Sequence, residues 1–247
     1  MEILIAYILL FFGVMASGAS ILLIKNKNKK TLKLITVFGG AFLLAVCFVN
    51  LIPEMFHEAH HHHEEAAHLM FPIGASILVG FLIQLFLEQL SKGMEHGHVH
   101  SNGENISKVS SVMLLIGVSI HAFLEGFPII SDTGVNTAMV TGIIIHNIPI
   151  SIILVGSFIH SGSSKTFSLL MLAIFASMAI IGSELNQMLS ILHPYQNIII
   201  GIVVGILLHV ATTTLFDSEE SHKYNRTRFL IILLAFIIVI LLPAHTH

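Results

Sequence analysis

Charge is what this sequence has least of. Only 10% of its 247 residues are Asp, Glu, Lys or Arg, against roughly 25% in a typical soluble domain. Water is therefore not the main solvent the chain is built for. Eleven Lys and Arg against 14 Asp and Glu leave a net charge of −3. No basic stripe is available to neutralise phosphates, which excludes a nucleic-acid partner. A single cysteine, Cys47, excludes an internal disulfide and any Cys-rich zinc fold. Set among apolar neighbours, it reads as a packing residue. No Walker-type phosphate loop occurs, which removes ATP as a driver.

Apolar residues, 55% of the chain, and histidine, with 17 copies, are what it has in excess. A helix needs roughly 17–25 mainly apolar residues to span a bilayer. Eight runs are candidates: Ile3–Ile24, Leu32–Phe56, Phe71–Leu90, Val109–Ile130, Gly134–Ile159, Thr166–Leu189, Ile198–Phe216 and the shortest, Phe229–Pro243. They imply an all-α polytopic membrane protein with one transmembrane domain over 1–247. The loops test the count. Lys25, Lys27, Lys29, Lys30 and Lys33 follow span one, Lys92 and Lys108 separate spans three and four, Lys165 separates five and six, and Lys223, Arg226 and Arg228 separate seven and eight. With eight spans all eleven cations fall on one face. Positive residues are retained in the cytoplasm, so both termini are expected outside. The first apolar run is too long for a cleavable signal, and its positive cluster follows it. Span one is expected to stay in the mature protein.

Two loops are rich in histidine: "HEAHHHHEEAAH", 57–68, expected outside, and "EHGHVH", 95–100, expected inside. Such tracts bind metal loosely or are simply solvated. The first also contains an H-E-x-x-H pattern, His57, Glu58 and His61. In a metalloprotease that spacing sets two imidazoles and a general base on one helix face. Here it lies in a tract where chance matches are cheap, and no convincing third ligand accompanies it.

Polar residues inside the apolar runs are more informative. A carboxylate at mid-helix costs about 2.5–3.5 kcal/mol on insertion scales, so it faces a bundle interior or a water-filled path. Glu125 and Glu184 lie well inside spans four and six, whereas Glu54 and Glu88 lie nearer the ends of spans two and three. His121 and Glu125 are four residues apart and share a helical face. Span five adds His146 and Asn147, followed by Pro149, which displaces the carbonyl of Ile145 from its helical bond. Pro128 is expected to do the same to Leu124. Kinks beside buried ligands match the broken helices that carry transporter sites near mid-membrane. Gly126 and Gly142 let helices approach closely. Nitrogen and oxygen donors together suit zinc and neighbouring divalent transition metals, not calcium or magnesium. His209, alone in span seven, reads as a hydrogen-bonded core histidine.

At these residues the sequence resembles the ZIP family of divalent-metal transporters. "HAFLEG" stands where that family carries H-N-x-x-E/D-G in its fourth helix, and "HNIPI" where its fifth carries H-N/E-x-P-E/H. "VNLIPEMFHEA" looks like the family's H-L-L-P-E-A segment with Asn50 in place of the histidine, and "GSELNQ" resembles its sixth helix with one buried acid. The resemblance implies a 3+2+3 helix bundle with inverted repeats, a dimer, and metal-binding positions at His121, Glu125, His146, Asn147 and Glu184. Ala122 stands where the family usually has Asn, and Ile150 where it often has a bridging acid. Losing both implies one principal ion site or altered selectivity.

The function expected is uptake of a divalent ion, Zn2+ foremost, with Fe2+, Mn2+ and Cd2+ as other substrates, and with no cofactor. Asn50, Glu54 and His57 are expected at the outer mouth, and Glu88, His96, His98, His100, Asp217 and His222 at the inner one. A prokaryotic inner membrane is the expected location. The competing readings are a metal sensor or scaffold without flux, an exporter, and an intramembrane metalloprotease using His57, Glu58 and His61.

Overall fold

In lipid a spanning segment must satisfy its own backbone N–H and C=O groups, so apolar runs become helices. The computed structural model of this protein describes residues 2–23, 29–57, 66–91, 107–131, 134–189, 191, 195–216 and 226–242, and these are helical nearly throughout. The helices are α1 (Ile3–Leu23), α2 (Lys29–Val46), α3 (Ile52–His57), α4 (Ala66–Ser91), α5 (Lys108–Glu125), α6 (Thr137–His160), α7 (Lys165–Met188), α8 (Gln196–Phe216) and α9 (Arg226–Leu241). A π-helical turn, Cys47–Leu51, joins α2 to α3 into one span. Among the described residues, seven segments are long and apolar enough to cross a membrane. α9, with 16 residues, completes the eight spans. The chain is an integral, multi-pass membrane protein.

Four of the spans, those of α2, α5, α7 and α9, begin in or beside cations: Lys29–Lys33, Lys108, Lys165, and Arg226 with Arg228. A helix N-terminus carries partial positive charge and favours anions, so helix electrostatics alone would not put them there. Retention of positive charge on one side of the membrane accounts for the pattern. Side-chain oxygens supply the orphan amides instead. Ser107 accepts from Ser110 N (3.0 Å), Asn136 from Met139 N (2.9 Å) and Ser164 from Phe167 N (3.2 Å), capping α5, α6 and α7.

The packing has an internal symmetry. α1 packs on α6 and α7, α5 on α7, α2 on α8 and α9, and α4 on α8. Exchanging the first three spans with the last three, and the fourth with the fifth, maps α1–α6 onto α7–α5 and α4–α8 onto α9–α2. These pairs follow the pattern that a 3+2+3 bundle implies, while the packing of α2 on α6 and of α4 on α5 has no counterpart of similar extent. Glycines set its closest approaches. A Cβ on Gly182 would overlap the carbonyl oxygen of Phe123, and one on Gly126 that of Ala179, so α5 and α7 touch through backbone. Gly80, against Ile202 O, and Gly205, against Ile77 O, do the same for α4 and α8.

The structure corrects several boundaries. α5 stops at Glu125 instead of running to Ile130. Gly126 N–H closes back on Ala122 and Phe123 carbonyls (3.2 Å each), and Phe127–Ile129 form a 3₁₀ turn with Pro128 near its start. Pro128 therefore ends the span and does not kink a continuing helix. Two short antiparallel strands follow, β1 (Ile130–Ser131) and β2 (Gly134–Val135), with Gly134 at a φ of 110° that favours glycine. Span five thus starts at Thr137, not Gly134. The tract 57–68 is not all loop either: His57 ends α3, and Ala66–His68 open α4.

Candidate metal centre

His121 and Glu125 lie one turn apart on α5, and His146 faces them from α6. His121 is 1% exposed, Glu125 0% and His146 4%. At 1.5 Å per residue, His121 lies about 20 Å along α5 from Lys108, and His146 about 14 Å along α6 from Thr137. The three therefore meet well inside the bilayer. His121 Nε2 is 3.0 Å from a carboxylate oxygen of Glu125. The imidazoles of His121 and His146 stand edge to face, with ring centroids 5.8 Å apart. One ligand atom from each of the three residues lies within 4.8 Å of the others. Tetrahedral bonds of about 2.0–2.1 Å put donor atoms about 3.4 Å apart, so an ion would draw this set only slightly inward.

Local sequence explains the convergence. The four-residue spacing aligns His121 with Glu125. Pro149 inside α6 leaves the Ile145 carbonyl without its helical partner, next to His146 and Asn147. α2 presses against this point because position 39 is glycine: a Cβ there would meet the His146 Cα at 3.2 Å. Among the described residues, no hydrogen bond reaches either Glu125 oxygen or Asn147 Oδ1, although all three atoms are buried. Buried polar atoms are normally satisfied. A buried carboxylate with unfilled hydrogen-bonding capacity beside two imidazoles suits a cation.

The remaining residues singled out by sequence fall elsewhere. Glu184 is exposed on α7, outside the cluster. Asn50 lies in the π turn with its Oδ1 buried, and Glu54 lies in the first turn of α3. Glu88 accepts from His209 Nε2 at 2.7 Å, across from α4 to α8, and the His209 ring packs edge-on against Phe81. His209 is thus the hydrogen-bonded core histidine that its isolation suggests. The side chain of His57, and Glu58, His61, His96, His98, His100, Asp217 and His222 entirely, lie outside the described residues. Ala122 and Ile150 are buried in one apolar cluster with Leu154 and Phe175. Gln84 on α4 is the residue that sequence reading missed. It is fully buried, with Oε1 3.0 Å from His121 Nδ1. The signal was there, since Gln84 is an amide in the middle of an apolar run, one turn before Glu88.

Comparison with known proteins points to metal transporters. Residues 2–112 match the family model described as ZIP zinc transporter, a stretch that ends before the residues of the cluster. The zinc transporter ZIP9-A of Xenopus laevis and the zinc transporter ZIP9 of Xenopus tropicalis are each 26% identical to this chain over 197 residues, covering 66% of it and 64% of each relative. The zinc transporter ZIP9 of Micropogonias undulatus is 25% identical over 180 residues, covering 57% of each chain. This chain therefore spans just under two thirds of the Xenopus relatives' length.

Proposed function

We propose that this chain is a ZIP-type transporter, carrying divalent transition-metal ions, Zn2+ foremost, into the cytoplasm through the buried His121–Glu125–His146 cluster; its likeness to the ZIP zinc transporters supports the reading. The observation that carries this reading is the cluster itself: two imidazoles and a carboxylate from two helices, all buried in mid-membrane. A group of that polarity costs several kcal/mol to place in lipid unless it is used. Asn147, with its open buried oxygen, is a fourth donor. The apolar packing of Ala122 and Ile150 supports one principal ion per chain. Glu184, exposed on α7, takes no part in that first shell and is kept only as a weaker, outer contact.

Ions pass Asn50, Glu54 and His57 at the outer mouth and leave past Glu88 and the histidines at 96–100, with Asp217 and His222 as further receivers. Fe2+, Mn2+ and Cd2+ are further substrates that the same donors accept. The setting we propose is a prokaryotic inner membrane, with the chain paired as a homodimer. Likeness to zinc transporters favours transport over the metalloprotease reading of His57, Glu58 and His61.

Zinc entering liposomes that contain the purified protein, followed with a trapped fluorescent indicator, tests the reading. Wild type is expected to carry zinc, and His121→Ala and Glu125→Ala, folded and inserted, to lose the flux. A wild-type protein that binds zinc but carries none of the four metals would favour a sensor or scaffold.

A further inference from the structure

A buried polar contact joins α4 to the donor cluster. Gln84 comes from α4, is 0% exposed, and meets the ring nitrogen of His121 that faces away from Glu125. An imidazole binds an ion through one nitrogen only if its proton sits on the other, and the hydrogen bond made by that other nitrogen decides which tautomer forms. Nε2 of His121 is turned into the donor cluster, so Nδ1 must hold the proton whenever an ion is bound. The acceptor that faces Nδ1 in this structure is Gln84 Oε1, 3.0 Å away.

We propose that Gln84 is a positioning residue for this site: its side-chain carbonyl holds the His121 proton on Nδ1 and thereby leaves the Nε2 lone pair for the ion. The role rests on the reading of His121 as a metal ligand. The residue type suits it. A neutral amide accepts the proton without adding a second carboxylate to the membrane interior, where charge is costly. Being neutral, it is a poor rival to Glu125 for the cation. Its fixed place on α4, one turn from the Glu88–His209 bond and beside the glycine-tight contact of α4 with α8, sets the plane of the His121 ring.

The test uses the full-length protein in detergent, with zinc affinity read by competition against a fluorescent chelator and site geometry read from the absorption of bound Co2+. Gln84→Met keeps the length and removes the acceptor. It is expected to weaken zinc binding by roughly 10–100-fold, the usual cost of losing an outer-shell partner, while the metal-free melting temperature stays near that of wild type. Gln84→Glu restores an acceptor and is expected to recover most of the affinity with the wild-type cobalt spectrum. A changed spectrum would instead mark the new carboxylate as a ligand and count against the proposal. Wild-type affinity in Gln84→Met, or no recovery in a folded Gln84→Glu, overturns it. A check that needs no variant at Gln84 comes from isotope-labelled histidine in the zinc-loaded protein. The proton is expected on Nδ1 of His121, identified by the signal lost in His121→Ala, and a proton on Nε2 overturns the proposal. Zinc binding unaffected by His121→Ala would fail at the earlier step and reject the site itself.

Discussion

Among its described residues this protein holds two histidine–carboxylate pairs inside its membrane domain, and they differ in how far their bonding is complete. In one, His209 on α8 gives its Nε2–H to Glu88 on α4 at 2.7 Å, and Phe81 closes over the ring. Glu88 keeps 21% of its side chain exposed, so its charge is partly solvated. The other pair, His121 with Glu125 at 3.0 Å, is almost wholly buried. A second imidazole converges on it, an amide holds its far side, and both carboxylate oxygens lack hydrogen bonds among the described residues. The first pair ties two helices together. The second has the donors of a coordination shell. Histidine beside glutamate is thus not by itself a metal site; the third donor and the open oxygens make the difference.

The largest effect should come from removing that third donor. His146→Ala is expected to lower zinc affinity by more than the roughly 10–100-fold typical of an outer-shell change and to reduce liposome flux to background. His209→Ala, the matching change in the other pair, should leave zinc affinity unchanged. Equal loss in both variants would erase the distinction between the pairs.

Acidification sharpens the same comparison. Both imidazoles of the cluster must be neutral to ligate, and an ion displaces any protons they hold. Zinc affinity should therefore rise with pH until both imidazoles are neutral and then level off. On the acid side it should fall by up to about 100-fold per pH unit if both protons compete. Chelator competition across pH measures the slope. A flat profile would mean that the histidines do not ligate.

Glu88→Gln should act more weakly, through passage and not through binding. A several-fold slower flux with unchanged zinc affinity is expected, read in the two assays side by side. A loss of affinity as large as that of Glu125→Gln would place Glu88 in the shell.

The smallest effects should come from the glycines that set the close helix contacts beside each pair. Gly126→Ala sets a methyl against Ala179 O, and Gly205→Ala one against Ile77 O. Each should cost about 1–3 kcal/mol of stability through forced separation of backbones. Thermal unfolding in detergent measures both. Only Gly126→Ala, adjacent to Glu125, should also weaken zinc binding.

Much of this was legible in the sequence, and the reasons are particular. The spans followed from apolar length. His121 and Glu125 were found because four residues is one helical turn, and His146 and Asn147 because they break an apolar run before Pro149. What stayed hidden was three-dimensional. The spans are apolar nearly all round, so their periodicity does not say which face meets which helix. Gln84 therefore gave no sign of touching His121, and Glu184 no sign of lying exposed. The end of α5 at Glu125 was missed because Phe127, Ile129 and Ile130 continue the hydropathy that marks a span, although Gly126 and Pro128 stop the helix.

The central claim is tested most directly by counting. Zinc bound per chain, measured by elemental analysis after exhaustive washing, is compared between wild type and the double variant His121→Ala with Glu125→Ala, and the zinc absorption edge of each reports the ligands. The histidine tracts contribute equally to both, so they cancel. The expected result is one zinc fewer per chain in the variant, with the lost signal that of imidazole nitrogen and carboxylate oxygen. The same zinc content and the same edge spectrum in both proteins would show that the ion is held elsewhere, and would contradict the account.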